Sequence, residues 1–158
     1  MSQILLRVLA VVLSGVSLEP LGEKVVPFEK LPAECVAVYD AEIRQFRQAT
    51  STEVISVDLD GDNVNEILIF NGENGSGGKV YAVMQKHNGK YRRVGEVFGL
   101  LYKSGKGLMV ESPCGWGNAQ WNYYELVSGK LVCKLEMKVK YSKPIRKNPM
   151  KITVEMKK

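Results

Sequence analysis

The sequence has few of the residues on which metalloenzymes and nucleophilic enzymes depend. It contains one histidine, His87, and three cysteines, and no two of the cysteines have the spacing of zinc ligands. His87 falls in a predicted turn, where an exposed side chain is expected. No nucleophile lies in a recognisable pattern with a base. We therefore expect neither a zinc site nor an enzyme.

Long apolar runs are also missing. The most apolar stretch, residues 8–16, has nine residues, whereas a membrane-spanning helix needs about 20. We therefore expect no stable membrane span. The 158 residues are 45% hydrophobic and 25% charged, which is typical of one soluble globular domain.

The charge is unevenly placed along the chain. The formal net charge is +5, yet residues 53–73 hold six acids and no base, and residues 134–158 hold nine bases and two acids. A basic tail can bind nucleic acid or anionic polymers and lipids. Lys138 and Lys140, however, alternate with apolar residues, as on the solvent face of a strand. We expect no nucleic-acid partner.

The first residues have the order of a secretory signal peptide. Arg7 precedes the apolar stretch, and the small residues 15–17 follow it, which predicts cleavage after Ser17 and a secreted or periplasmic protein. Residues 18–31 then read as an extended linker, and residues 32–158 as a single β-rich domain. The alternative for the N-terminus is an amphipathic helix with one apolar face, formed by Ile4, Leu5, Val8, Leu9 and Val12.

Export would allow one disulfide and leave one thiol over. Cys114 and Cys133 both fall in the β-rich C-terminal half, so this pair is favoured over pairs that include Cys35. Sequence alone does not determine the connectivity.

The apolar pattern predicts a mainly β (α+β) fold with one N-terminal helix. Pro32 opens a helical pattern that ends near Ala49. From Glu53 onward about eight alternating stretches read as strands. Asn88-Gly89 and Ser128-Gly129 predict tight hairpins. Such short connections favour an antiparallel meander, a small sandwich or a partly open barrel.

An acidic loop, residues 58–66, predicts a calcium site. The carboxylates of Asp58, Asp60 and Asp62 at alternate positions and of Glu66 at the next strand can converge on one ion, with the carbonyl of Val64 as a further ligand. The alternative is a solvated acidic turn without an ion.

The loop is not an EF-hand, because Asn63 and Ile69 stand where that motif needs glycine and glutamate. The run Asp58-Leu59-Asp60-Gly61-Asp62-Asn63-Val64-Asn65-Glu66 instead resembles the calcium loop of FG-GAP and VCBS-type β-repeats, and Phe98-Gly99 loosely matches their Phe-Gly element. The resemblance implies a calcium-stabilised, non-catalytic module at or outside the cell envelope. One copy is too few for a propeller.

Two further stretches suggest an alternative function, that of a small secreted inhibitor or adhesin. Within the Gly-Ser loop, residues 72–81, Ser76, Lys79 and Tyr81 resemble a loop that periplasmic lysozyme inhibitors insert into their target. The aromatic loop, residues 114–124, holds Trp116 and Trp121, which could contact a protein or a glycan. Aromatic residues at strand spacing are also typical of a β-core.

Overall fold

The fold is mainly β and consists of two antiparallel sheets. The structure is a computed structural model that describes residues 18–38, 49–73, 78–114, 118–141 and 152–157. The mainly β prediction is confirmed, and neither sheet closes into a barrel within these ranges.

The five-stranded sheet carries the acidic loop. Its strands lie in the order β2 to β6, so each strand pairs with its neighbours in sequence. The strands are β2 (Lys24–Pro27), β3 (Ser51–Val57), β4 (Glu66–Glu73), β5 (Lys79–His87) and β6 (Lys90–Phe98).

The six-stranded sheet has the order β1-β7-β8-β9-β10-β11. Its strands are β1 (Glu19–Pro20), β7 (Leu100–Ser104), β8 (Gly107–Pro113), β9 (Asn118–Val127), β10 (Lys130–Tyr141) and β11 (Ile152–Lys157). From β7 onward this sheet is a meander, as predicted, and β1 adds to its free edge.

The structure contains three strands that the sequence did not predict, β1, β2 and β7. Residues 18–31, expected to be an extended linker, contribute β1 and β2, which pair with β7 and β3. The third is β7, whose short run Leu100–Ser104 was not recognised. The other eight strands correspond to the predicted stretches.

Helical structure is short in the described ranges. A 3-10 turn, Phe28–Lys30, precedes the α-helix α1 (Ala33–Val36), which begins after Pro32 as predicted. The rest of the predicted helix lies mostly in residues 39–48, outside the described residues. No helix in the described part of the chain has the length and apolar character needed to cross a bilayer.

The two predicted hairpin turns are confirmed by their backbone conformation. Asn88 and Gly89 have φ of 49° and 80°, and Ser128 and Gly129 have φ of 50° and 70°. Both turns therefore place two consecutive residues in the left-handed region, which matches the right-handed twist of the flanking strands.

The two sheets face each other across one apolar core. Alternate residues of each strand point inward, since side chains of a strand alternate between the two faces of its sheet. This inner core contains Phe28, Ile55, Val57, Leu59, Leu68, Phe70, Tyr81, Val83, Val97, Leu101, Leu108 and Val110. A smaller cluster on the outer side of the five-stranded sheet joins Cys35 of α1 to Ile69 and Met84, and burial raises the pKa of the Cys35 thiol to about 11.

An ionic network ties the chain before β2 to the five-stranded sheet. The Lys79 ammonium lies 2.6 Å from carboxylate oxygens of both Glu23 and Glu53, and the Tyr81 hydroxyl donates to Glu23. Burial alone would raise the pKa of Glu23, but the hydrogen bonds from Lys79 and Tyr81 and the charge of Lys79 outweigh it, so the pKa lies below 4.5.

The lowered pKa of Glu23 predicts an acid-sensitive contribution to stability. A folded-state pKa below the unfolded value means that this contribution is present above about pH 4.5 and is lost as pH falls through the folded value. We expect Glu23→Gln to lower the melting temperature at pH 7 and to flatten its decrease below pH 4.5. Urea or thermal melts from pH 7 to pH 2.5 measure this.

The control is Glu29→Gln, which replaces an exposed glutamate in the neighbouring 3-10 turn. It should leave the pH profile unchanged. Equal profiles for the wild-type and Glu23→Gln proteins would refute the role assigned to this network.

Candidate functional site

The acidic loop closes the hairpin of β3 and β4. Val57, the last residue of β3, pairs with Glu66, the first residue of β4. Between them, Leu59 turns inward and is buried in the inner core. Leu59 therefore anchors the loop to the body of the protein, and the acidic residues on either side of it face the loop's own centre.

The loop curls because two of its residues adopt left-handed backbone conformations. Gly61 has φ of 81° and Asn63 has φ of 65°, as glycine and asparagine do most readily. The resulting turn aims two backbone N–H groups at Asp58: Gly61 N–H donates to Oδ1 at 2.7 Å and Asn63 N–H to Oδ2 at 3.1 Å.

The next two aspartates are held in the same way. Asp62 N–H donates to Oδ1 of Asp60 at 3.2 Å, and Val64 N–H donates to Oδ1 of Asp62 at 2.7 Å. The second carboxylate oxygen of Asp60 accepts a 3.1 Å hydrogen bond from the Gln85 amide on β5. The side chains are thus oriented by the fold itself, and each carboxylate keeps further lone pairs for another ligand.

Three of the four predicted carboxylates converge. Asp58, Asp60 and Glu66 each place an oxygen within 4.8 Å of the others. Calcium binds oxygen at about 2.3–2.6 Å, so two of its ligand atoms lie at most about 5 Å apart. The spacing of these three oxygens therefore fits one calcium ion.

Asp62 and Val64 stand apart from that group. The Asp62 carboxylate caps the Val64 N–H group and is not one of the three converging side chains. Val64 itself is exposed. Of the predicted ligand set, the structure brings together Asp58, Asp60 and Glu66.

Glu66 is the most constrained acid in the loop. Its side chain is 1% exposed, and its carboxylate accepts a 2.8 Å hydrogen bond from Leu59 N–H. Burial raises its pKa; the Leu59 hydrogen bond opposes this, and the negative charges of Asp60 and Asp62 raise the pKa further. A buried carboxylate beside two others lacks a compensating positive charge, and a divalent cation would supply one.

Two lysines from a distant hairpin approach the loop. Lys106 lies against Gly61, so that a Cβ added to Gly61 would be 3.1 Å from its Cε. Desolvation raises the pKa of Asp58, but hydrogen bonds from Gly61 and Asn63 and the charge of Lys103 together outweigh it and lower that pKa. The loop has no base near it in sequence, yet the β7–β8 hairpin brings two bases near it in space.

Two of the residues predicted to form a binding surface are buried. Tyr81 and Trp121 are each 1% exposed: Tyr81 is in the inner core, and Trp121, for which a core position was the alternative, stacks on Tyr102 with ring centroids 5.5 Å apart. Lys79 is engaged by Glu23 and Glu53, as described above. Ser76 and Trp116 lie outside the described residues.

The predicted Cys114–Cys133 disulfide is not formed, and all three cysteines are free. Cys133 pairs with Tyr124, whereas Cys114 donates its N–H to Asn118. Tyr124 and Asn118 are six positions apart on β9, about 20 Å at strand spacing, whereas bridged cysteines need Cα atoms within about 7 Å. The two thiols therefore lie at opposite ends of the sheet.

A cleft that the sequence did not reveal lies where the two sheets meet. It has a volume of about 330 Å³ and is lined by polar groups of β6, β8 and β9, among them Glu96, Ser112, Gln120, Asn122 and Tyr124. Gln120 donates its amide to Asn122 at 3.3 Å. The only advance indication was the polar and aromatic composition of residues 114–124, which supply part of the lining.

Comparison with known proteins identifies no relative of this chain. No protein-family model, no curated protein and no solved structure matches it. The resemblance to FG-GAP and VCBS-type repeats therefore rests on the nine residues of the loop, and function has to be argued from the site.

The position of Lys106 predicts that it weakens cation binding. Its ammonium repels a cation that approaches the converging carboxylates of the loop. We expect Lys106→Met to tighten calcium binding severalfold, measured by isothermal titration calorimetry at low ionic strength, and we expect the difference to shrink as salt is added.

Lys30→Met provides the control, because Lys30 is exposed in the 3-10 turn whose Phe28 N–H donates to Thr50, just before β3 and at the opposite end of that strand from the loop. This variant should bind calcium as the wild-type protein does. Unchanged or weaker binding by Lys106→Met would contradict the arrangement described here.

Proposed function

We propose that the chain is a non-catalytic, calcium-stabilised β-module in which one ion, held by Asp58, Asp60 and Glu66, locks the β3–β4 hairpin. The observation that carries the proposal is the buried Glu66 carboxylate, which converges with two other carboxylates at ion-binding distance. Carbonyl oxygens and water would complete the six to eight ligands that calcium takes.

The geometry supports a structural role for the ion. Glu66 and Val57 are a cross-strand pair, and Leu59 is part of the inner core. An ion bound to Glu66 would therefore fix the end of β4 and the loop together. The backbone amides and the Gln85 amide that surround the carboxylates orient them as ligands.

The composition of the site also supports a location where calcium is abundant. Three converging carboxylates and two lysines nearby favour modest affinity, in the range of extracellular modules, whose Kd values are about 10⁻⁴–10⁻³ M. Such a site fills outside the cytoplasm. This agrees with the secreted or periplasmic location that the N-terminal residues predict.

Thermal melts with calcium and with chelator test the proposal. Calcium at a hundredfold excess over Kd should stabilise the protein by about 2.7 kcal/mol. We expect Glu66→Gln to lose this gain, because it removes the buried charge that the ion compensates. In chelator, the same variant should be at least as stable as wild type, since a neutral amide is easier to bury than a carboxylate.

The matched control is Glu73→Gln, at the exposed far end of the same strand, which should respond to calcium as wild type does. Magnesium at equal concentration tests selectivity. A wild-type melting temperature that is the same in about 100 mM calcium, a hundredfold excess over the weakest expected Kd, and in chelator would refute the proposal.

A second candidate function is recognition of a glycan or a protein through the cleft between the sheets. The supporting observation is that Cys114, Gln120, Asn122 and Tyr124 of the predicted aromatic loop line this cleft. Side-chain amides next to an aromatic ring are suited to sugar hydroxyls and ring faces. This candidate is compatible with a structural calcium ion elsewhere.

Titration of the protein with oligosaccharides and with lysozyme, followed by NMR, tests this candidate. We expect shifts to map to the cleft and to be lost in Gln120→Leu, which keeps the side-chain volume but removes the amide. Glu29→Gln is the control for a remote surface change. Shifts that map elsewhere, or that survive in Gln120→Leu, would contradict a role for the cleft.

A further inference from the structure

The cleft between the sheets lies along a free strand edge. β6 is the last strand of the five-stranded sheet, and β5 is its only strand partner in the described part of the chain. Glu96, Val97 and Phe98 of β6 line the cleft. The side chain of Val97 belongs to the inner core, so those of Glu96 and Phe98 lie on the opposite face of the sheet. What these two residues present to the cleft is therefore mainly their backbone.

The strand register shows which backbone groups point toward the cleft. Gly99 N–H donates to the Lys79 carbonyl at 2.9 Å, which makes Lys79 and Gly99 a hydrogen-bonded pair. In an antiparallel ladder such pairs alternate with non-hydrogen-bonded ones, so Glu96 and Phe98 belong to pairs of the second kind. Their N–H and C=O groups consequently point away from β5.

A contact from the facing sheet agrees with this direction. The Ser112 hydroxyl on β8 donates to the Phe98 carbonyl, which requires that carbonyl to point away from β5. The register places the N–H of Phe98 and both backbone groups of Glu96 on the same side. Within the described ranges, no strand pairs with this side of β6.

The part of the edge that precedes the cleft is covered. At Gly95, β10 packs so closely that an added Cβ would lie 2.7 Å from the Cβ of Leu131. At Arg92, the guanidinium lies against Gly129 of the β9–β10 turn, where an added Cβ would be 1.9 Å from it. Proteins commonly protect strand edges by covering them. Here the cover ends where the cleft begins, which leaves residues 96–98 as an open edge.

The opposite wall of the cleft is a row of polar side chains on β9. Gln120, Asn122 and Tyr124 occupy alternate positions of the strand and therefore share one face. The Gln120 amide donates to Asn122 at 3.3 Å, and the Asn122 amide donates to the Tyr124 oxygen. This wall offers amide and hydroxyl groups and no charge.

The lining favours an uncharged guest. Among the described residues that line the cleft, Glu96 carries the one formal charge at neutral pH, and Arg93 on the same strand forms an ion pair with it. A charged chain terminus would therefore find no free counter-charge in this lining.

We propose that the cleft binds an extended, uncharged peptide segment that pairs with residues 96–98 of β6 as an added strand. The proposal rests on the second candidate function above and names the chemistry of the partner. Donor and acceptor groups recur along the edge at Glu96 and Phe98, a two-residue spacing that a peptide backbone matches and a sugar does not. The side chain that the peptide turns toward β9 carries a hydroxyl or an amide, as in threonine or asparagine.

The dimensions suit a segment of about three residues. At strand spacing the open edge, residues 96–98, spans about 10 Å. The cleft has a volume of about 330 Å³, near the lower end of the range of about 300–1,000 Å³ for ligand pockets. It therefore accepts a short extended segment and excludes a folded element.

Removal of one backbone N–H group from the edge tests the proposal. The probe is the peptide Thr-Val-Asn-Val-Thr, acetylated and amidated at its ends, and binding is followed by NMR. We expect chemical-shift changes and slower hydrogen exchange at the N–H groups of Glu96 and Phe98. Glu96→Pro removes an outward N–H, which an edge strand tolerates, and should weaken binding about tenfold because a main-chain hydrogen bond is lost. Glu96→Gln keeps the N–H and should weaken binding less.

The matched control is Val25→Pro, on β2, the other edge strand of the same sheet. Phe28 N–H donates to Thr50, so by the same alternation the N–H of Val25 points away from β3. Val25 is 70% exposed. This variant should fold and bind the peptide as the wild-type protein does.

A change in the peptide keeps the proposal falsifiable if Glu96→Pro does not fold. Peptides methylated at a single backbone nitrogen are titrated into the wild-type protein. Methylation of an N–H group that faces β6 should abolish binding, and methylation at the adjacent residue should weaken it less, so that affinity alternates along the peptide.

The outcomes separate this proposal from the function on which it rests. Equal affinity of all the methylated peptides, or wild-type affinity of Glu96→Pro, would overturn the added strand. Shifts at the cleft with an N-acetylglucosamine tetramer but not with the peptide would also overturn it, while the second candidate function would stand. If neither probe shifts the cleft residues, both fail.

Discussion

The carboxylate of Glu66 imposes the strongest constraint on this molecule. It is withdrawn from water at the base of a hairpin, next to two more acids, and its hydrogen bond from Leu59 does not neutralise it. Burial and the neighbouring acids raise its pKa, and a cation bound there would compensate the charge of its ionised form. The inward turn of Leu59 places the N–H group that Glu66 accepts from, and the curl of the loop brings Asp58 and Asp60 beside it.

Much of the fold could be predicted because the features that specify it are local. Alternation of apolar residues indicated eight of the strands, and Asn88-Gly89 and Ser128-Gly129 indicated their turns, since those residue types accept positive φ at low cost. The acidic loop was recognisable for the same reason. Spacing of oxygens along the chain and the position of Gly61 are properties of a short segment, and the structure retains both.

The features that were missed depend on contacts between distant segments. Lys103 and Lys106 reach the acidic loop only because β7 and β8 cross over to it. Tyr81 and Trp121 sit at strand positions that could face either way; a core position was the alternative for Trp121, and the packing of the sheets buries both. The separation of Cys114 and Cys133 follows from strand register, which composition does not reveal. The cleft exists only where two sheets meet.

Gly99 is the single residue between β6 and β7, where the chain passes from one sheet to the other. Its φ is 131°, its N–H donates to Lys79 at 2.9 Å, and a Cβ there would lie 2.0 Å from the Glu111 carbonyl oxygen. A side chain at position 99 would therefore collide with the backbone of β8, and only glycine fits where the chain passes between the two sheets.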